Sequence, residues 1–180
     1  MSVARPLPHD AASLHVTGQA RYVDDIPTPA DTLHLAFGLS EIAHGEITRV
    51  DLDAVRTAPG VVLAMTADDL PHANDVSPAP WPEPLLAQGA VHYMGQPVFL
   101  VAATSHLAAR KAARLASIEY VEAPALLTID DALAAGSRYE GGPVVWGRGD
   151  VAGAMAGAHR TVEGRIEIGG QEHFYLEGQA

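Results

Sequence analysis

The chain has 180 residues, enough for one domain or for one domain and the beginning of another. Its 48% hydrophobic and 18% charged content supports a packed core, and 11 basic against 22 acidic residues leave a net charge of −11 that opposes nucleic-acid phosphates and anionic membrane surfaces. The absence of cysteine excludes disulfides, Cys-ligated zinc or iron–sulfur centres and a thiolate nucleophile, and suits a reducing cytoplasm. Residues 1–10 lack the basic-then-apolar order of a signal peptide. The longest apolar run, around Pro97 to Ala103, falls far short of the roughly 20 residues of a membrane helix. A soluble, acidic, cytoplasmic protein is expected.

Leu33 to Leu39 places large apolar side chains at alternate positions, the period of a half-buried strand. Ile47 to Val50 reads as a further short strand. Asp51 to Ala58 reads as a short helix with acidic residues near its start, stopped by Pro59-Gly60. Val61 to Met65 is continuously apolar, which predicts a strand covered on both faces. Ala67 to Leu70 predicts one helical turn, ended by Pro71. Pro78 to Pro84 holds four prolines in alternation and predicts a stiff extended loop.

Pro97 to Thr104 predicts a buried strand, followed by a helix capped by Ser105 and running to about Ser117. On it Arg110, Lys111 and Arg114 share the solvent side, and the alanines with Leu107 and Leu115 face inward. Ile118 to Val121 is again a strand, so strand, helix and strand predict a βαβ unit with a right-handed crossover. Thr128 and Asp131 predict the cap of a second short helix that Gly136 ends. Turn residues gather in Gly136 to Gly149, where a boundary is expected. A short helix from Asp150 to Ala158 and a strand with alternating Val162, Ile166 and Ile168 follow. No stop signal precedes Ala180, and the chain reads as cut in mid-element.

The nine histidines are scattered, without an H-x-x-x-H or H-E-x-x-H pair, so the zinc-hydrolase motif is missing. Asp24 and Asp25 precede Ile26-Pro27; neighbours on a strand point to opposite faces, and turn formation accounts for them without catalysis. Gly147, Gly149 and Gly153 make G-x-G-x-x-x-G, one residue too long for a dinucleotide fingerprint, and a strand–turn–helix link capped by Asp150 explains it. No phosphate-loop or G-x-S-x-G motif is present. Gly169-Gly170-Gln171-Glu172-His173 is different, because two glycines permit close backbone approach directly before an amide, a carboxylate and an imidazole. The uncharged Gln171 amide suits contact with a metal-bound oxo group; a bulged strand with an exposed polar end is the alternative.

Several segments together resemble the molybdenum hydroxylases, the xanthine oxidase and aldehyde oxidase family. They are Thr17 to Pro27, Leu33 to Ser40, Pro59 to Val62, Thr66 to Pro71, and Tyr93 to Val98 with the strand and alanine-rich helix after it. The resemblance covers nearly the whole chain, and its motifs are weak singly and specific in this order. It implies an α+β fold: an α/β-hammerhead domain followed by the first strand or strands of a molybdenum-cofactor-binding domain. The domain reading is an extension at 1–15, the hammerhead at 16–136, a linker and short helix at 137–160, and the truncated start of the cofactor domain at 161–180.

The wording G-G-Q-E-H-F-Y-L-E, Gly169 to Glu177, is similar to the xanthine dehydrogenase branch and closely related aldehyde oxidases. By that resemblance Gln171 binds the cofactor by hydrogen-bonding the apical oxo ligand of molybdenum. Glu172, His173 and Glu177 belong to the motif and equally suit packing. The implied reaction is hydroxylation of hypoxanthine and xanthine toward urate, with water as oxygen source. Electrons pass to 2Fe-2S clusters and FAD on a partner subunit or domain and then to NAD. Implied partners are the remainder of the large subunit, the FAD/Fe-S subunit and the purine, in a dimer of heterodimers.

In this family the catalytic glutamate, the substrate-binding residues and nearly all pterin contacts lie beyond the stretch matched here. No catalytic residue is therefore assigned within the chain, and 180 residues alone are expected to be inactive. An aldehyde oxidase-like hydroxylase and a free-standing hammerhead interaction module without activity are the other readings.

Overall fold

Hydrogen-bonding needs dictate the architecture, because each strand here is short and must find partners far along the chain. The computed structural model describes residues 3–78, 80–138, 142–171 and 173. Its elements in order are α1 (Ala12–Thr17), β1 (His34–Leu39), β2 (Gly45–Asp51), α2 (Asp53–Arg56), β3 (Val61–Thr66) and β4 (Ala90–Val91). They continue with β5 (Pro97–Ala103), α3 (His106–Ala113), β6 (Ser117–Glu122), α4 (Ile129–Ala134) and α5 (Val151–Ala156). The chain divides into a unit of Asp31–Trp146 and a second unit of Met1–Ala30 with Gly147–Ala180.

The Asp31–Trp146 unit holds two three-stranded sheets, ordered β1-β5-β3 and β4-β2-β6. Among the described residues every strand pairing is antiparallel. β5 is the central strand of its sheet, with Val98, Phe99, Val101, Ala102 and Ala103 buried. One core joins Phe99 and Val101 to Leu52 and Val55 at α2, Ala64 of β3, Val91 of β4 and Ala112 of α3. Ile47, Val50, Ile118 and Tyr120 of the second sheet pack against it. Each large side chain buried there contributes roughly 1.5–3 kcal/mol.

Local signals end and orient the elements. The Ser105 hydroxyl accepts the Ala108 N–H at 3.2 Å and starts α3. The Thr128 hydroxyl accepts the Asp131 N–H at 3.1 Å at α4, and Gly136 follows in the left-handed region at φ 66°. Asn74 works as a detached strand edge: its Nδ2 donates to the Leu86 carbonyl at 2.7 Å, and its Oδ1 accepts the Leu86 N–H at 3.0 Å. Leu86 is buried as a result.

In the second unit, described by itself, α1 ends at Gly18 with φ 70°. A 3-10 turn over Val23–Asp25 is closed by Asp25, whose carboxylate accepts the Tyr22 N–H at 3.0 Å. α5 is capped by Asp150, which accepts the Gly153 N–H at 2.8 Å.

The strands and helices stand where the sequence pattern puts them, with six corrections. β5 and β6 belong to different sheets, so no βαβ crossover forms: both edges of β5 are taken by β1 and β3, and β6 pairs with β2. α3 stops at Ala113, because Ser117 already begins β6. Leu107 and Leu115 are exposed, since the helix seats on its small residues Ala109 and Ala112. β3 is an edge strand with Leu63 half exposed, not a strand covered on both faces. β1 buries the face opposite its large side chains: Leu35, Phe37 and Leu39 are 58%, 45% and 49% exposed, and Gly38 is buried. Residues 161–171 form no strand ladder, and Val162, Ile166 and Ile168 are exposed; a strand needs a partner strand, and among the described residues none pairs with this segment. The two-residue strand β4 had no sequence signal.

Gly38 makes the β1 approach possible. A Cβ built there would overlap the ring of Phe99, the largest fully buried side chain. Gly38→Val is expected to destabilise the unit by about 1–3 kcal/mol through overpacking. The urea midpoint measures this, and Phe99→Leu in the same chain should restore part of the loss. An unchanged midpoint in Gly38→Val would show that the contact does not constrain the fold.

Candidate functional site

Gln171, the one sequence-derived site residue, lies outside regular structure and is exposed. Nothing crowds the backbone before it: a Cβ at Gly169 or Gly170 would meet no atom within 4 Å. His173 is also exposed and engages a neighbouring group. Glu172 and Glu177 lie outside the described residues. The described part of the motif, Gly169–Gln171 and His173, thus lies outside regular structure, with the Gln171 side chain open to solvent.

The other chemical candidates resolve into structural roles. Asp25 closes a turn and Asp150 caps a helix, as described above. Among the described residues no group of three His, Asp or Glu side chains is placed to hold a metal ion.

Within the Asp31–Trp146 unit, His44 and His92 stack with ring centroids 6.2 Å apart and planes 26° from parallel. The His44 Nδ1 lies 3.0 Å from the Pro124 carbonyl, which fixes that ring. Both line an open depression of about 520 Å³ with Tyr93, Met94, Leu126 and Leu127, and no carboxylate lines it. This pairing comes from the register of β2 on β4, where Gly45 faces Val91. It leaves no spacing signal in the sequence.

Electrostatics point the same way. Backbone and hydroxyl hydrogen bonds from Thr66 hold Asp69 below its ordinary pKa, at N···O 2.8 Å and O···O 3.1 Å. Asp75 is lowered by the backbone N–H groups of Glu83 and Ser77, at 3.0 and 2.9 Å. A carboxyl stabilised in its charged form is a brace and a poor proton donor at neutral pH.

Residues 17–124 match the α/β-hammerhead domain of aldehyde oxidase and xanthine dehydrogenase, and the chain belongs to that family of oxidoreductases. It is 40% identical over 181 residues to a xanthine dehydrogenase of Oryza sativa subsp. japonica, covering 99% of this chain and 13% of the relative. It is 38% identical over 175 residues to the xanthine dehydrogenase/oxidase of Rattus norvegicus, covering 97% of this chain and again 13% of that protein. Among solved structures, the aldehyde oxidoreductase of Desulfovibrio gigas superposes with a TM-score of 0.64 at 31% identity, over 69% of this chain and 15% of its own. The chain thus spans about an eighth of the curated relatives' length, and the α+β hammerhead expectation holds. No helix among the described residues is long and apolar enough to cross a membrane.

Asp75 braces the proline-rich loop. Its folded pKa lies below its ordinary value, so its stabilisation is present above that value and is lost as pH falls through the lowered one. The amide resonances of Ser77 and Glu83 are therefore expected to hold steady from neutral pH to the ordinary carboxylate range and to move only on further acidification. NMR titration measures this, and movement near neutrality would remove Asp75 as the brace.

Proposed function

We propose that this chain is the amino-terminal portion of the molybdenum-cofactor subunit of a xanthine dehydrogenase. That subunit hydroxylates hypoxanthine and xanthine to urate with water as oxygen source and NAD as final acceptor. The observation that carries the reading is 40% identity to a xanthine dehydrogenase along 99% of the chain, including the stretch beyond the hammerhead match. In this reading residues 16–136 are the hammerhead, 137–160 a linker, and 161–180 the start of the cofactor domain. FAD and 2Fe-2S clusters belong to a partner subunit or domain, the assembly is a dimer of heterodimers, and its place is the cytoplasm.

The described residues do not fit a complete molybdenum-cofactor site. No metal-holding cluster is formed among them, and Gln171 is exposed to solvent. The chain's own contribution is therefore limited to one contact: the Gln171 side chain supplies two N–H donors and an acceptor oxygen without adding charge. Nearly all else that would hold the cofactor, and the residues that would position a purine, come from polypeptide outside this segment. The segment 161–168, outside regular structure and with Val162, Ile166 and Ile168 exposed, suits a strand completed by that polypeptide.

Two measurements test the reading. The intact mass of the polypeptide in its native host, with molybdenum content from the same preparation, should exceed 18.9 kDa several-fold and include the metal. A mass of 18.9 kDa without metal would favour a separate hammerhead module. In the complete complex, Gln171→Ala should lower turnover of xanthine roughly 10- to 100-fold with assembly and molybdenum content retained. Unchanged turnover would remove Gln171 from the site, and preference for aldehydes over purines would move the enzyme to the aldehyde oxidase branch.

A further inference from the structure

His44 precedes and His92 follows the rung of the β2–β4 pair in which Gly45 faces Val91. Continued by one residue, that register sets the two histidines opposite each other on one face, where Cβ atoms stand about 4.5–5.5 Å apart. Both rings are exposed, and their surroundings differ. The Pro124 carbonyl, 3.0 Å from His44 Nδ1, can only accept, so Nδ1 carries the hydrogen. The uncharged ring then keeps its lone pair on Nε2, away from that contact. A ring tied to a carbonyl through one nitrogen, with the other nitrogen open, is the arrangement that orients a metal-binding imidazole.

The main chain of His92 is fixed by its N–H, which donates to Gln96 Oε1 at 2.8 Å. Among the described residues no hydrogen bond holds its ring, which is free to turn. The ring centres are 6.2 Å apart. A metal–imidazole bond is about 2.0 Å long, so with half a ring added at each end one ion spans centres about 6 Å apart. Met94, two residues beyond His92, lines the same depression with a thioether on a flexible stem. Leu126 and Leu127 form much of the remaining wall, and no carboxylate joins them.

The geometry points to a soft-metal site at this end of the second sheet: His44 Nε2, the His92 ring and the Met94 sulfur hold one copper(I) ion.

The donors select the ion. Imidazole serves zinc, copper, iron and nickel, whereas a thioether favours copper(I). Calcium and magnesium require oxygen ligands, which the lining lacks in carboxylate form. Three neutral donors also leave a divalent charge uncompensated beside apolar walls, where a monovalent ion costs less to desolvate. His34 and His106 provide the contrast. Their ring centres are 6.5 Å apart and edge-on at 80°, and among the described residues no carbonyl orients either ring. The copper site uses no residue of the proposed molybdenum contact, so the two readings stand or fall separately.

Histidine footprinting with diethyl pyrocarbonate tests this on the protein purified from its native host, under argon and read by peptide mass spectrometry. A chelator sets the free copper(I), so cysteines of other domains do not alter it; this chain has none. His44 and His92 are expected to label without copper and to lose labelling together, at one midpoint, as copper(I) rises to the micromolar range. His34 and His106 should keep theirs. His92→Gln and Met94→Leu should each raise the copper midpoint at His44 by about 10-fold or more. Rings that resist labelling before copper is added would overturn the site, because the depression would then be closed in the whole protein. Separate midpoints for His44 and His92, no protection, or a midpoint unmoved in either variant would overturn the shared ion. Equal protection of His34 and His106 would mark an adventitious ion only, and equal protection by zinc(II) would overturn the choice of a soft monovalent metal.

Discussion

The close approach of β1 to Phe99 is the constraint on which the hammerhead unit depends. Phe99 sits on the central strand of a three-stranded sheet, and Gly38 is the neighbour that leaves room for its ring. Ala112 of α3 then lies against the same core with Val55, Ala64 and Val101. Small residues on the helix and on β1 are what allow one aromatic ring to be enclosed by such short elements. Packing at crystal-like density gives no spare volume, so a methyl group at residue 38 is already too much.

That constraint also explains where the sequence misleads. Alternation in Leu33 to Leu39 locates the strand correctly but says nothing about which face is inside. Burial by hydropathy would choose Leu35, Phe37 and Leu39; the helix instead covers the face with Ala36 and Gly38, because only there can it come close enough. The same logic applies to α3, where Ala109 and Ala112 are buried and the larger Leu107 and Leu115 are exposed. Side-chain volume overrides hydrophobicity when a helix must seat closely on a sheet.

Local chemistry was legible where a side chain acts on its own backbone. Ser105, Thr128 and Asp150 cap the helices that their positions announce, and Asp25 closes a turn as its place before Ile26-Pro27 suggests. Pairing across the chain was not legible. The strand–helix–strand order of β5, α3 and β6 mimics a parallel crossover, yet β5 has both edges occupied by antiparallel neighbours. Nothing local distinguishes these outcomes, because the deciding strands, β1 and β3, lie far upstream. The stacking of His44 on His92 depends on register in the same way.

The candidate site obeys a different rule from the fold. Gln171 is proposed from the wording around it, and its chemistry as an uncharged donor and acceptor needs no structure to state. Its position does need one, because an amide selects a partner only when its rotamer and backbone are held by surrounding contacts. Upstream of it Val162, Ile166 and Ile168 are exposed, with Glu163, Arg165 and Glu167 standing between them. The reverse face of the β1-β5-β3 sheet, in the other unit, presents Leu35, Phe37, Leu39 and Leu63 without a charged residue among them. An uncharged sheet face is desolvated without ion burial, whereas enclosing residues 161–168 also requires partners for Glu163, Arg165 and Glu167. An exposed glutamine outside regular structure has no fixed direction of its own, so the proposed role of Gln171 depends on groups that would hold its rotamer.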